Sequence, residues 1–201
     1  MKKLVLAAAF VFAGSFAFAQ IDQGTIKAGG NLGFTSGSND ANDVKTSSFT
    51  FGPELGYFFA DNMEAFLNIG IGSSKSELDS DNSNTNGSTN IGLGVRKYFM
   101  PSDAFGFFAG LGLGISSGSN EMVSAGVKTE TETKGLDVGI HVGVVYFPTS
   151  NIGLSANLGG LAMNTMTDVG QGGADDVKTT EIGLNLGNTV VFGFHWYFGN
   201  E

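Results

Sequence analysis

Two histidines, His141 and His195, are the side chains best suited to acid-base chemistry near neutral pH. With Ser155, Asp137 or Glu181 they would supply the nucleophile, base and carboxylate of an acyl-transfer site. No nucleophile elbow and no paired His/carboxylate motif surrounds them, so the sequence argues against an enzyme. Lys27, Glu54, Glu64, Arg96, Asp137 and Glu181 are a second set, charges set singly into stretches of apolar residues and glycine. Brought together out of water they are tolerable only as ion pairs or hydrated groups. Glu77, Asp79 and Asp81 have the alternate spacing of an oxygen-rich cation site, but the glycine placement and closing Glu of an EF-hand loop are missing. They read, with Asp40 and Asp43, with Glu121, Glu130 and Glu132, and with Asp168, Asp175 and Asp176, as solvated loop acids. Gly170, Gly172 and Gly173 form a loop tip without the strand-helix setting of a phosphate site. No cofactor and no metal is called for.

The elements that must hold these residues are unusual in composition. The 201 residues include 32 Gly, 18 Phe and 3 Pro, and only 14% are charged, which is not the Ala/Glu/Lys/Leu mixture of helices. Cysteine is absent, which excludes disulfides, thiolate metal sites, Cys nucleophiles and a lipidated cysteine. Met1, Lys2 and Lys3 make a basic start, Leu4 to Phe12 an apolar stretch, and Ala17, Phe18 and Ala19 a small-x-small cleavage site. Residues 1–19 are therefore expected to be a cleaved export signal, with the mature chain starting at Gln20. The net charge is −9, and −11 once Lys2 and Lys3 leave, which speaks against nucleic acid as a partner.

From Gln20 onward, apolar and small or polar residues alternate with period 2 in eight segments. The apolar sides run Ile26 to Phe34, Phe49 to Phe59, Met63 to Ile71, Ile91 to Phe99, Phe105 to Ile115, Leu136 to Tyr146, Ile152 to Leu158 and Ile182 to Phe198. In the seventh segment Gly159 falls on the other side, with Gly153, Ser155 and Asn157. The apolar sides carry one charge, Lys97, whose long stem lets it snorkel to an interface. The lumen of an eight-stranded barrel is only just wide enough for side chains, so the small side fits inside and the bulky side outside, against lipid. The connections alternate as well. Short ones follow Ala60, Met100 and Pro148, and long polar loops are expected over 36–46, 73–88, 116–134 and 162–179. This predicts an all-β, eight-stranded, antiparallel up-and-down transmembrane barrel over 20–201, with both termini at the short-turn, periplasmic side. Aromatic residues from Tyr57 to Phe198 cluster beside the short turns as an interfacial girdle. Pro53 removes a ladder donor, so a break or bulge is expected there.

The last strand, with Phe194, Trp196 and Phe198 on one side, looks like the aromatic insertion signal of small outer-membrane barrels. Over the whole mature chain the pattern resembles the OmpA/OmpX-type outer-membrane β-barrel domain. That resemblance implies the bacterial outer membrane as the location, lipid and lipopolysaccharide as surroundings, and periplasmic chaperones and the barrel-assembly machinery as partners during insertion. It implies a structural or surface-interaction role, with a possible extracellular ligand at the loops. A narrow porin or transporter for small solutes or hydrophobic ligands is the alternative. Inside the lumen, Lys27, Glu54, Glu64, Arg96, Asp137, His141, Glu181 and His195 are expected to share one polar network, with the inward glycines leaving space on the loop side.

Overall fold

The computed structural model describes residues 21–39, 44–79, 81–169 and 176–199; the expected export signal, Asp40, Asp43, Asp175 and the glycines of 170–173 lie outside them. Eight strands follow one another: β1 (Ile26–Asn39), β2 (Val44–Ala60), β3 (Met63–Asp79), β4 (Asn82–Phe99), β5 (Phe105–Ser124), β6 (Val127–Thr149), β7 (Ile152–Asp168) and β8 (Val177–Phe198). Each pairs antiparallel with the next, and β8 returns to β1 to close a barrel.

The alternation sets which way the side chains face. Across β3 to β6 the register aligns Ala65, Val95, Leu111 and Ile140 in one outward row, and Leu67, Leu93, Leu113 and Val138 in the next. On β5 the outward apolar residues run from Phe105 to Ile115. At ~3.3 Å per residue and a tilt of ~40° that stretch is about 25 Å tall, the height of an outer-membrane apolar band. Lys97 leaves this belt by donating from Nζ to the Asp61 carbonyl in the short β2–β3 turn, at 3.2 Å.

The expected long loops are a correction. Most of 36–46, 73–88, 116–134 and 162–179 is strand, because β1 to β8 continue past the belt as polar hairpins. Hydrophobic alternation ends at the belt, but the backbone ladder does not. Thr35 and Ser48 face each other at 2.6 Å, and Asn120 Nδ2 donates to the side-chain oxygens of Asn84 and Asn86 at 2.8 and 2.7 Å. The β5–β6 hairpin closes on Ala125 and Gly126, both at positive φ (49° and 76°), the backbone that a right-twisted two-residue turn requires.

Two irregularities differ from a regular barrel. Pro53 opens a gap in the β2–β3 ladder between the Phe51–Ile71 and Glu54–Asn68 pairs, without shifting the register. On β7 the register slips between Asn157 and Gly159, which places Gly159 beside the outward Val142. The strict alternation read through Leu158 and Gly159 therefore fails at one bulge, which re-aims the rest of the strand.

Leu111→Arg, in the middle of the belt, is expected to lower barrel stability by about 2–4 kcal/mol in denaturant titrations from phospholipid bilayers, whereas Ser119→Arg in the polar hairpin costs about 0–1 kcal/mol. Equal effects at both positions would contradict the lipid-facing assignment.

Candidate functional site

At the end where the chain starts and stops, the lumen is filled by rings. Phe58, Tyr98, Phe108, Val145, Phe147 and Tyr197 point inward from five strands and are buried. Ring centroids lie 5.4 Å apart for Phe58–Tyr98, 5.7 Å for Tyr98–Phe108 and 4.9 Å for Phe147–Tyr197. Ile21 closes the cluster from below and is itself 1% exposed. Its backbone is held in place: Ile21 N donates to Asn62 Oδ1 and Asn62 N donates to the Ile21 carbonyl, both at 2.9 Å. The sequence rule of small residues inside thus holds for only half the barrel. Inward-phase Phe and Tyr near the short turns were the available signal for the rest.

A layer of four charges lies on the rings. Glu64 and Arg96 are direct cross-strand partners. Arg96 grips Glu54 with both terminal nitrogens, Nη1 to Oε1 at 3.0 Å and Nη2 to Oε2 at 3.1 Å, and Nη1 also donates to Glu64 Oε2 at 3.1 Å. Lys27 Nζ stands 2.7 Å from Glu54 Oε1 and touches Glu64 Oε1. Tyr98 ties the set together, donating from its hydroxyl to Glu64 Oε2 at 2.7 Å while accepting from Lys27 Nζ at 3.3 Å. Two cations and two carboxylates cancel. That cancellation matters because Lys27 and Glu64 are fully buried, and a lone buried ion would cost several kcal/mol. The Arg96 guanidinium carbon lies 4.4 Å from the centre of the Phe66 ring and 4.9 Å from that of Phe108, contacts suited to a planar, weakly hydrated cation.

Glycines make the layer possible. A Cβ at Gly56 would overlap the Glu64 carboxylate, and one at Gly110 would lie 2.5 Å from the His141 ring. Across Gly110, Arg96 Nε donates to His141 Nε2 at 3.2 Å, so His141 joins the layer through that bond.

The other three expected members do not join it. Asp137 and Glu181 form no ion pair among the described residues, and Glu181 is exposed. Strand tilt is the reason. The cross-strand row from Gly29 runs through Glu54, Asn68, Gly92, Gly114, Asp137 and Asn164 to Glu181, yet Gly29 itself pairs with His195, fourteen residues further along β8. Phase put all these residues inside, but the row climbs as it turns around the barrel and lifts the two acids toward the hairpins. His195 takes a different partner, with Nε2 2.9 Å from Ser155 Oγ, and its buried Nδ1 has no hydrogen-bond partner among the described residues. A Ser–His contact is thus present, but no described residue orients the imidazole from behind as the third member of a triad does.

Above the charge layer the lumen opens. A cavity of about 340 Å³ is lined by Asn31, Thr50, Asn68, Asn90, Ser155 and Asn157 over Glu54 and Arg96. A second of about 420 Å³, sharing Glu54, Asn68, Asn90, Arg96 and Asn157 with it, extends toward Asp137 and His141. Gly70 and Gly72 border the first and Gly92, Gly112 and Gly114 the second, whereas Gly94 and Gly110 are covered by Phe66 and His141. The result is a chamber lined largely by amides and glycines, with Asp137 on its far side and a neutral ion cluster as its floor.

Comparison with known proteins gives both a similar fold and a family. The chain is similar to the outer membrane protein OprG of Pseudomonas aeruginosa, at 13% identity over 88% of this chain and 97% of that one, with a TM-score of 0.55. It also matches the N-terminal β-barrel domain of Pseudomonas aeruginosa OprF, at 14% identity over 88% of this chain and 98% of that one, with a TM-score of 0.42. No curated protein matches at sequence level. Residues 4–189 match the outer membrane protein β-barrel domain, and the chain belongs to that bacterial outer-membrane family.

Proposed function

We propose that this protein is a structural and surface-display barrel whose lumen is sealed by the Lys27/Glu54/Glu64/Arg96 layer on its aromatic floor. The neutral cluster carries the reading. Removing any one charge leaves the buried remainder of the cluster unbalanced, so the layer holds itself shut. Beneath it, the buried side chains of Ile21, Phe58, Tyr98 and Tyr197 fill the lumen. A narrow channel would require both layers to part. The Ser155–His195 contact has no catalytic role in this reading, since no described residue hydrogen-bonds the imidazole Nδ1.

In this reading the short turns and both termini face the periplasm, and the polar hairpins stand outside the cell. The hairpins present mixed charge, with Lys128 bridging Glu121 at 2.9 Å and Glu130 at 2.6 Å, a surface for lipopolysaccharide or an extracellular ligand. Phe194, Trp196 and Phe198 point outward at the terminal end of β8, about half exposed, where the assembly machinery would read them during insertion after chaperone delivery. Export would cleave the chain after Ala19, leaving Ile21 second from the new N-terminus and free to seat against Asn62.

Three measurements test this. In planar bilayers the purified protein is expected to give no unit conductance, and steady current steps would favour the channel. Arg96→Met should cost about 3–5 kcal/mol of stability, while the quadruple variant K27M/E54Q/E64Q/R96M recovers most of that loss. Mass spectrometry of the membrane-extracted protein is expected to find Gln20 at the N-terminus; an intact Met1 would remove both the export signal and the free N-terminal plug.

A further inference from the structure

The barrel is not closed evenly. β1 pairs with β2 over its whole length, Ile26 to Asn39, but with β8 only from Ile26 to Gly30. Likewise β8 stays paired to β7 as far as Val177, although its pairing with β1 ends at Phe194. Gly30, at φ +145°, is the last β1 residue of the seam, and a Cβ there would overlap the Gly52 carbonyl.

The open stretch lies within the lipid belt. Leu32 and Phe34 on β1, and Ile182, Leu184 and Phe192 on β8, are 69–74% exposed, whereas among the described residues no other large apolar side chain of the belt is more than 60% exposed. Each lacks a neighbour on the seam side. Unpaired strand edges do not face hydrocarbon, and irregular backbone at that depth is found where it lines a wet cavity. Such a cavity is present. The 340 Å³ chamber is walled at this point by Gly30 and Asn31 of β1 and by Val191, Gly193 and His195 of β8.

We propose that the β1–β8 seam is a lateral portal that binds a single-chain amphiphile, with its acyl chain lying against Leu32, Phe34 and Phe192 and its head in the chamber. The lining chooses the head. Asn31, Thr50, Asn68, Asn90 and Asn157 offer amide and hydroxyl groups, while Arg96 already spends its nitrogens on Glu54, Glu64 and His141. Asp137 in the adjoining cavity and Glu181 in the same cross-strand row disfavour an anion. An uncharged, hydroxyl-bearing head, such as that of a monoacylglycerol, fits this wall. The inference goes beyond the sealed-barrel reading, because the portal opens sideways and asks nothing of the charge layer.

A monoacylglycerol with a diazirine in its acyl chain tests it, photolysed with the protein in phosphatidylcholine nanodiscs. Adducts are expected to concentrate at Asn31 to Phe34 and at Val191 and Phe192. The seam register, continued two residues past Gly30–Phe194, pairs Leu32 with Phe192. An oxidised L32C/F192C variant, in a chain with no other cysteine, is expected to lower the yield about tenfold, and reduction to restore it. Asn31→Trp, which fills the chamber wall without a thiol, should give the same loss. Adducts spread evenly over Leu67, Leu93 and Leu113 and indifferent to both variants would overturn the portal. So would a disulfide forming between two copies, since a second barrel would then cover the seam. Equal labelling by the matching fatty acid would overturn the uncharged head.

Discussion

In hydrocarbon a backbone N–H or C=O has no water to bond, so a strand must be paired on both sides or must line a cavity that supplies the missing partner. Much of this molecule follows from that constraint. It requires closure, and closure of eight strands leaves a lumen that side chains can fill or that can hold one small ligand. It also permits the hairpins, which run on past the belt with Ser, Thr and Asn along their edges, because water takes over there as the backbone's alternative partner. The β1–β8 seam is where the constraint is met differently, with backbone left unpaired in front of a polar chamber.

The narrow lumen turns interior composition into a question of complementary volumes. Several large inward side chains lie against a glycine on the adjacent strand: Glu64 over Gly56, Phe66 over Gly94, His141 over Gly110, Phe108 over Gly143. The glycines are therefore recesses for named neighbours more than points of flexibility. Where the large partner is missing, as around Gly92, Gly112 and Gly114, the recess stays open and becomes the chamber. The same residue type thus packs one half of the barrel and hollows the other.

Strand number, order and facing were legible in the chain, since period-2 alternation is a local property and lipid contact enforces it. Arg96, Glu54, Glu64 and Lys27 could be placed inside from phase alone. Their meeting, and the separation of Asp137 and Glu181 from them, could not be read that way, because height in the lumen depends on the tilt accumulated around the whole ring. His195 shows the same limit: Ser155 lies forty residues away in sequence, and only the β7–β8 register brings them to 2.9 Å. Strand ends were misjudged for a simpler reason. Hydrophobicity reports the membrane, not the ladder, so a polar strand above the bilayer has the same pattern as a loop.

Tilt also explains why the charge layer can coexist with an opening in the wall. The four ions come from β1 to β4, with His141 of β6 reached across Gly110, and they draw the first half of the barrel together at the level of its aromatic floor. The seam lies beside β1, and its five closed pairs, Ile26 to Gly30, bracket Lys27. Below that level the wall is complete and the interior dry. Above it the interior opens into a polar-lined cavity, which can serve the unpaired edges. Seal and opening are then successive levels of one gradient in lumen packing, from rings through ions to amides and space.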